Sequence, residues 1–215
     1  MNIDIIFLLS ALGGYLLGSI PFGLVLTRLA GLGDIRKIGS HNIGATNVLR
    51  TGRKDLALLT VILDASKAGI AAVLALKLIT PEPYIFLGYV TSTNIVAGLI
   101  AGSCGVLGHN FPVWLKFKGG KGVASAFGFI VATQPILGLI ALAVWLGVAI
   151  ITRYSSLSAI CAAISVPFFA FFMTDTTHAF FYSAIALLVL IRHHANINRL
   201  IHGQESKISF KKHSA

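Results

Sequence analysis

Long apolar runs dominate this chain. They occupy residues 5–27, 56–79, 84–107, 123–152, 157–173 and 179–191. Each of the first three is long enough to cross about 30 Å of hydrocarbon at 1.5 Å per residue. Thr80-Pro81-Glu82-Pro83 separates the second from the third, and Thr174-Asp175-Thr176-Thr177-His178 separates the last two. The run 123–152 is interrupted by Gln134-Pro135. It reads as one long helix or as two short ones meeting at a tight turn. The pattern predicts an all-α integral membrane protein. Two runs are short. A helix starting near Ala179 is expected to continue past Ile191 through Arg192, His193 and Asn196. The helix of run 123–133 is expected to begin at or before Lys121.

Composition strengthens the membrane reading. Of 215 residues, 56% are hydrophobic and 11% charged, with mean hydropathy +0.86. Soluble domains carry about 25% charged residues, and a soluble fold of this length leaves roughly 30% of its surface exposed. A soluble globular enzyme and a disordered chain are both excluded.

Charge then sets orientation. Seventeen Lys and Arg oppose seven Asp and Glu, a net +10. In a soluble protein that would suggest nucleic acid; here loops on the cytoplasmic side collect Lys and Arg, and no nucleic-acid partner is expected. If Gln134-Pro135 is a hairpin, seven spans result. All the basic residues then face one side, except Lys67 and Lys77 inside the second span. Asp4, Glu82 and Asp175 face the other. Six spans would move Arg153 and the basic tail across. The expectation is a seven-transmembrane-helix bundle, N-terminus outside and C-terminus cytoplasmic. Residues 1–205 form a single transmembrane domain and residues 206–215 a short basic tail. Its Lys207, Lys211 and Lys212 are placed to meet anionic lipid. No basic residue precedes the first run, so it reads as an anchor rather than a secretory signal. Cys104 and Cys161 lack CxxC or metal spacing and read as small hydrophobes.

Three polar clusters fall on the basic side. The first, residues 34–50, holds Gly39, Ser40, His41, Asn42, Gly44, Thr46, Asn47 and Arg50. Its glycines allow tight turns that point N–H groups inward, and Arg50 offers a planar fork suited to phosphate. The second, residues 108–122, ends in Gly119-Gly120-Lys121-Gly122 before a helix. That is an anion cradle of backbone donors, a positive helix start and one lysine, though not a Walker A loop. Phe111, Trp114 and Phe117 read as interfacial anchors. In the third, residues 192–205, helical spacing puts His193 and Asn196 on one face. Its adjacent histidines lack a carboxylate or cysteine to complete a metal site. Asp64 and Lys67 stand three apart inside a span, where ionisable residues are expensive. They read as a mutual pair, supporting the structure or walling the site.

The segments GSHNIGATNVLR (39–50), GHNFPVWLKFKGGKG (108–122) and RHHANINRLIHGQE (192–205) resemble the three signatures of the bacterial acyl-phosphate:glycerol-3-phosphate acyltransferases, the PlsY type. GSIPFG (18–23), LDASKAG (63–69) and RYSSLS (153–158) are also similar. The resemblance implies transfer of a fatty acyl group from acyl phosphate to the 1-hydroxyl of sn-glycerol 3-phosphate. The products are lysophosphatidic acid and phosphate, in the first acylation of bacterial phospholipid synthesis. It implies a seven-helix bundle in the cell (inner) membrane, with its site facing the cytoplasm. It implies no cofactor and no metal, and coupling to a soluble acyl-phosphate synthase.

Carried over by position, it implies phosphate-site roles for Gly39, Ser40, Asn42, Gly44, Asn47 and Arg50, and for Lys121 within Gly119, Gly120 and Gly122. His109 leads the second signature. His193 and Asn196 are implied to hold glycerol 3-phosphate, and Ser156 to lie near the substrates. His41 stands where many members have glycine.

The chemistry agrees with the residues. Acyl phosphate is a mixed anhydride with a good leaving group, so no covalent nucleophile is needed, and no serine elbow is present. Positioning and charge neutralisation carry such a reaction. His193, with an ordinary pKa of ~6.5, and the donor phosphate are both candidate proton acceptors. A transporter for a small anion is the rival class, but transporters place sites at the midplane between repeats, and these clusters lie at one face.

Overall fold

The computed structural model describes residues 2–39 and 41–208. Its helices are α1 (Ile3–Gly18), α2 (Phe22–Leu29), α3 (Ala45–Leu49), α4 (Lys54–Leu78), α5 (Thr93–Asn110), α6 (Val123–Thr133), α7 (Pro135–Thr152), α8 (Ser155–Met173), α9 (Thr176–Arg192) and α10 (His194–Ile201). A two-stranded hairpin, β1 (Pro83–Phe86) and β2 (Tyr89–Ser92), joins α4 to α5. Among the described residues, five helical stretches are long and apolar enough to cross a membrane. They are Ile3–Leu29, Lys54–Leu78, Thr93–Leu115, Pro135–Thr152 and Ser155–Met173. The pair α9 and α10, bent by 59°, makes a sixth if taken as one span.

The bundle is apolar outside and packs through small residues inside. Leu29, Val90 and Ile151 are more than four-fifths exposed, and Phe171 is 75% exposed, as lipid-facing side chains should be. Helix α1 lies on α5, and α4 on both α5 and α6. At Gly14 and Gly18, one turn apart on α1, a Cβ would overlap the Ala101 and Gly105 carbonyls of α5. Between membrane helices, association rests on such backbone approach rather than on the hydrophobic effect.

Four expectations change. Residues 84–92 are not helix but an antiparallel pair, Tyr84 opposite Thr91 and Ile85 opposite Val90. Leu87 (φ 49°) and Gly88 (φ 84°) take the left-handed conformations of a two-residue hairpin turn. The Phe86 ring pins this hairpin on α9, 5.4 Å from Phe180 and 5.4 Å from Phe181. The first run breaks at Ser19-Ile20-Pro21, where Pro21 (φ −90°, ψ 73°) closes a three-residue turn with the Phe22 N–H donating to Ile20 O at 3.1 Å. Helix α6 starts at Val123, not at or before Lys121, because Gly122 (φ 83°) is left-handed and cannot continue a helix. Finally, α9 does not run straight through His193 but kinks there.

At Gln134 the chain folds back. A Cβ on Gly138 would overlap Val131, seven residues earlier; a straight helix would hold these about 10 Å apart along its axis. The reversals sort the loops. The hairpin, Gln134 and Asp175 lie at one end. The segments before and after α3, the loop 111–122, Arg153 and the segment after α9 gather at the other. Hydrogen bonds between Arg192 and Gly119–Gly120, and between Arg153 and Ile208, tie the second set together.

Candidate active site

Four chain segments meet at that second end. The Lys121 ammonium, half-buried in the loop before α6, donates to Asn196 Oδ1 at 2.6 Å. Asn196 Nδ2 donates to Glu205 Oε1 at 2.7 Å. Ser156, in the first turn of α8, donates to the same oxygen at 2.7 Å. Arg199 Nε donates to Glu205 Oε2 at 2.7 Å. Glu205 is therefore the hub that orients Ser156, Asn196 and Arg199, and through Asn196 it sets the position of Lys121.

His193 stands at the kink, 2% exposed, beside Asn196 at 5%. Its Nδ1 lies 2.8 Å from Val189 O. A carbonyl only accepts, so Nδ1 carries the hydrogen and Nε2 keeps its lone pair. The neighbouring Arg192 reaches the second signature: Nε and Nη2 donate to Gly120 O and Gly119 O, each at 3.1 Å. Its guanidinium also lies over the Phe111 ring, 5.1 Å from the centroid.

The Gly119–Gly122 loop is drawn onto the end of α5. Gly119 N–H donates to Asn110 O at 3.2 Å and Gly120 N–H to His109 O at 3.0 Å. A Cβ on Gly120 would overlap His109 Nε2, and one on Gly119 would overlap His109 O, so the loop can lie this close only without side chains. The N–H groups of residues 121–125 donate to no described residue. They form the open start of α6, a ready anion cradle.

The first signature folds around Asn47, 1% exposed. Its Nδ2 lies 2.7 Å from Ile35 O, 2.9 Å from Asn42 O and 3.2 Å from Ile38 O. Asn47 thus shapes the loop from inside. Gly39 (φ 57°) lies against Asn47 and Arg50, and a Cβ there would overlap the Arg50 guanidinium. Asn42 Oδ1 accepts from Gly44 N–H at 3.3 Å, and Gly44 precedes α3. His41 takes φ 56°, a conformation glycine adopts freely; its Nδ1 donates to Arg36 O at 2.8 Å. Ser40 lies outside the described residues, as do Lys211 and Lys212.

Asp34, Arg36, Lys37 and His41 share a recess of about 480 Å³ with Phe117, Lys118, Gly119 and Arg192. All three signatures line it. Asp34 is held far below the usual carboxylate range by the Arg36 guanidinium. Burial pushes the Lys121 ammonium down; Glu205 opposes this, while Arg199, Arg192 and Arg50 push further down. Burial raises the Glu205 carboxyl, but hydrogen bonds from Ser156, Asn196 and Arg199 outweigh it and leave the group low. The result is an ionised carboxylate inside an excess of positive charge.

A model of the family described as glycerol-3-phosphate acyltransferase matches residues 8–203. The chain belongs to that family. A glycerol-3-phosphate acyltransferase of Rhodospirillum rubrum is 55% identical over 205 residues, covering 95% of this chain and 92% of that one. Among solved structures, the integral membrane glycerol 3-phosphate acyltransferase PlsY (YgiH), in its glycerol 3-phosphate form, is similar. The TM-score is 0.83 at 39% identity, over 94% of this chain and 96% of that one. The lysophosphatidic acid form of that protein gives 0.82 at 38% identity, over 94% and 95%.

The structure brings together Lys121, Asn196, His193 and Ser156, which the sequence holds in separate segments, and adds three partners that the motifs do not reveal. Glu205 closes the third signature yet stands nine residues beyond Asn196, past the end of α10. Arg192 was readable only as an orientation charge. Arg199, three residues after Asn196 on α10, shows nothing in its spacing of the carboxylate it meets. No spacing rule finds a chain that folds back after a helix.

Proposed function

We propose that this protein transfers a fatty acyl group from acyl phosphate to the 1-hydroxyl of glycerol 3-phosphate, giving lysophosphatidic acid and phosphate. The observation that carries the proposal is the meeting of Lys121, Asn196, Ser156, His193 and Glu205 beside the open Gly119–Gly122 loop. Two anions must be held together for this reaction, and Arg50, Lys121, Arg192 and Arg199 supply four positive charges against one from Glu205. The loop N–H groups hold the donor phosphate. Lys121 joins them on the donor side; Ser156, Asn196 and Arg50 hold the acceptor, and His193 Nε2 accepts a hydrogen bond from its 1-hydroxyl.

The hydroxyl oxygen attacks the acyl carbonyl carbon, the bond from that carbon to the bridging phosphate oxygen breaks, and the hydroxyl proton leaves with the phosphate. His193 serves as orienter rather than base. An imidazolium acting as base is stabilised when Nδ1–H meets a carboxylate; here Nδ1–H meets the Val189 carbonyl in a buried site.

The reading also places the chain in the bacterial inner membrane with seven crossings, N-terminus outside. The crossings are α1 with α2, then α4, α5, α6, α7, α8, and α9 with α10. Helix α6 covers only about 16 Å at 1.5 Å per residue. The loop before it then sits below the cytoplasmic headgroups, shielded by protein as membrane-depth loops must be. An acyl chain can remain in lipid while its phosphate reaches that loop. Coupling to a soluble acyl-phosphate synthase would supply the donor.

The test is purified protein in detergent with palmitoyl phosphate and labelled glycerol 3-phosphate. Lysophosphatidic acid and phosphate should appear in equal amounts. Absence of product, with glycerol 3-phosphate uptake into liposomes, would reverse the assignment in favour of transport. His193→Ala should raise KM for glycerol 3-phosphate more than it lowers kcat; a loss confined to kcat makes His193 the base.

A further inference from the structure

Beneath the Gly119–Gly122 loop lies a second polar cluster that the reaction scheme above does not use. Lys67 on α4 is 2% exposed, Asp64 3% and His109 4%. Lys67 Nζ lies 2.9 Å from Asp64 Oδ1, 3.0 Å from Ile20 O and 2.9 Å from His109 Nδ1. An ammonium has three N–H donors and no acceptor, and here it meets three acceptors. His109 Nδ1 is therefore an acceptor, and its ring hydrogen sits on Nε2. Donation from Nδ1 to Asp64 is ruled out by distance, 3.6 Å. The Ile20 carbonyl faces Lys67 because the chain breaks at Pro21 between α1 and α2. Ser125 of α6 donates to Asp64 O at 2.7 Å. One buried pair thus joins α1, α4, α5 and α6 under the loop. His109 closes the connection upward: its carbonyl accepts from Gly120 N–H at 3.0 Å, and its Nε2 abuts the bare Cα of Gly120.

We propose that Lys67 and Asp64 are positioning residues for acyl transfer: they fix His109 as the Nε2–H tautomer, and His109 holds the Gly119–Gly122 loop in the shape that takes the donor phosphate. The proposal rests on the reading of that loop as the donor cradle. Ionisable residues inside a membrane are costly and serve a purpose; a pair used only to join helices would not need a histidine whose far nitrogen touches the loop. Without the Lys67 donor, Nδ1 has no reason to stay an acceptor, and the ring is free to flip or change tautomer. The effect is then felt at the donor site, because the acceptor residues stand elsewhere: Arg50 at the end of α3, Ser156 on α8, His193 at the kink and Asn196 on α10.

The experiment compares His109→Gln with His109→Asn in the full chain in detergent. A glutamine amide reaches the place of Nε2–H, whereas asparagine reaches only that of Nδ1. For His109→Asn, KM for palmitoyl phosphate should rise about tenfold, by analogy with the loss of an orienting partner behind a ligand, with KM for glycerol 3-phosphate nearly unchanged. His109→Gln should recover most of it. The double variant Asp64→Asn with Lys67→Met removes both charges together. It should show the same donor-selective rise and add nothing in the His109→Asn background. Nitrogen-15 spectra of histidine-labelled protein, with His109→Gln for assignment, should show the Nε2–H tautomer in the wild type and its loss in the double variant. Equal rises in both KM values, or a thermal-stability loss shared equally by the Gln and Asn variants, makes His109 a packing residue and overturns the proposal. A wild-type protein inactive with palmitoyl phosphate would instead overturn the donor-cradle reading, while the tautomer spectra still judge the link to Lys67.

Discussion

The two buried polar clusters of this molecule differ in how their hydrogen bonds and charges close. Around Lys67, three donors meet three acceptors and one carboxylate balances one ammonium. Every donor of the ammonium is used. Around Lys121, Arg199, Arg192 and Arg50 add three cations to its own while Glu205 is the one carboxylate, and the N–H groups at the start of α6 find no described partner. A closed cluster spends its interactions on holding helices in place. An open one leaves positive charge and donors for something that is not protein. A buried charge thus marks a ligand site when its own neighbours fail to complete it.

The strongest way to break the comparison is to remove the open cluster's central charge. Lys121→Met should lower kcat/KM by about 10³, the upper range for removing one preorganised donor at a reacting group, measured as labelled lysophosphatidic acid formed. The protein should stay folded in detergent, since Lys121 makes one side-chain hydrogen bond. A variant that keeps a tenth of the activity would show that the loop N–H groups carry the phosphate without it.

Glu205 tests the same cluster from its hub. Glu205→Gln keeps the shape but removes the charge that Arg199 meets and that supports Lys121. Activity should fall about a hundredfold, the scale on which a lost partner behind a ligand is felt. The pH dependence carries the sign. The Lys121 pKa is already lowered, so kcat/KM should fall as pH rises through a value below the ordinary lysine range. Without the Glu205 carboxylate, which pushes that pKa up, the alkaline fall should move to lower pH. Lys121→Arg should abolish the fall, because a guanidinium does not lose its proton there. An alkaline limb unchanged in both variants would mean that another group titrates.

How much of this was legible in the sequence depended on the range of each contact. Apolar length, the Gln134-Pro135 break and the one-sided basic residues are local or summed properties, and they gave the helical membrane fold and the Asp64–Lys67 pair. The hairpin at 83–92 was lost because Tyr84, Ile85, Phe86 and Leu87 are as apolar as a span, and only Pro83 and Gly88 spoke against it. Within the site, Lys121 and Asn196 were named separately, 75 residues apart, and nothing in either segment states the hydrogen bond between them. Asn47 was read as a phosphate-site residue beside Arg50. Its amide proves to be turned inward onto three carbonyls, because a loop this rich in glycine needs a side chain to hold its shape.

The smallest effect belongs to a polar pair at the opposite end of the bundle. Thr133 and Tyr182 meet oxygen to oxygen at 2.7 Å, and Tyr182 is 1% exposed among Phe129 and its neighbours. Like the Lys67 cluster it is closed, but it touches no loop of the site. Tyr182→Phe removes the hydroxyl and leaves the ring. A hydrogen bond between membrane helices contributes about 0.6 kcal/mol on average, so the thermal midpoint should fall slightly while both KM values and kcat stay within twofold. Set beside His109→Asn, this separates two closed clusters by position alone. If Tyr182→Phe changes KM for palmitoyl phosphate as much as His109→Asn does, closure under the loop has no special effect. The donor site would then be sensitive to any loosening of the bundle.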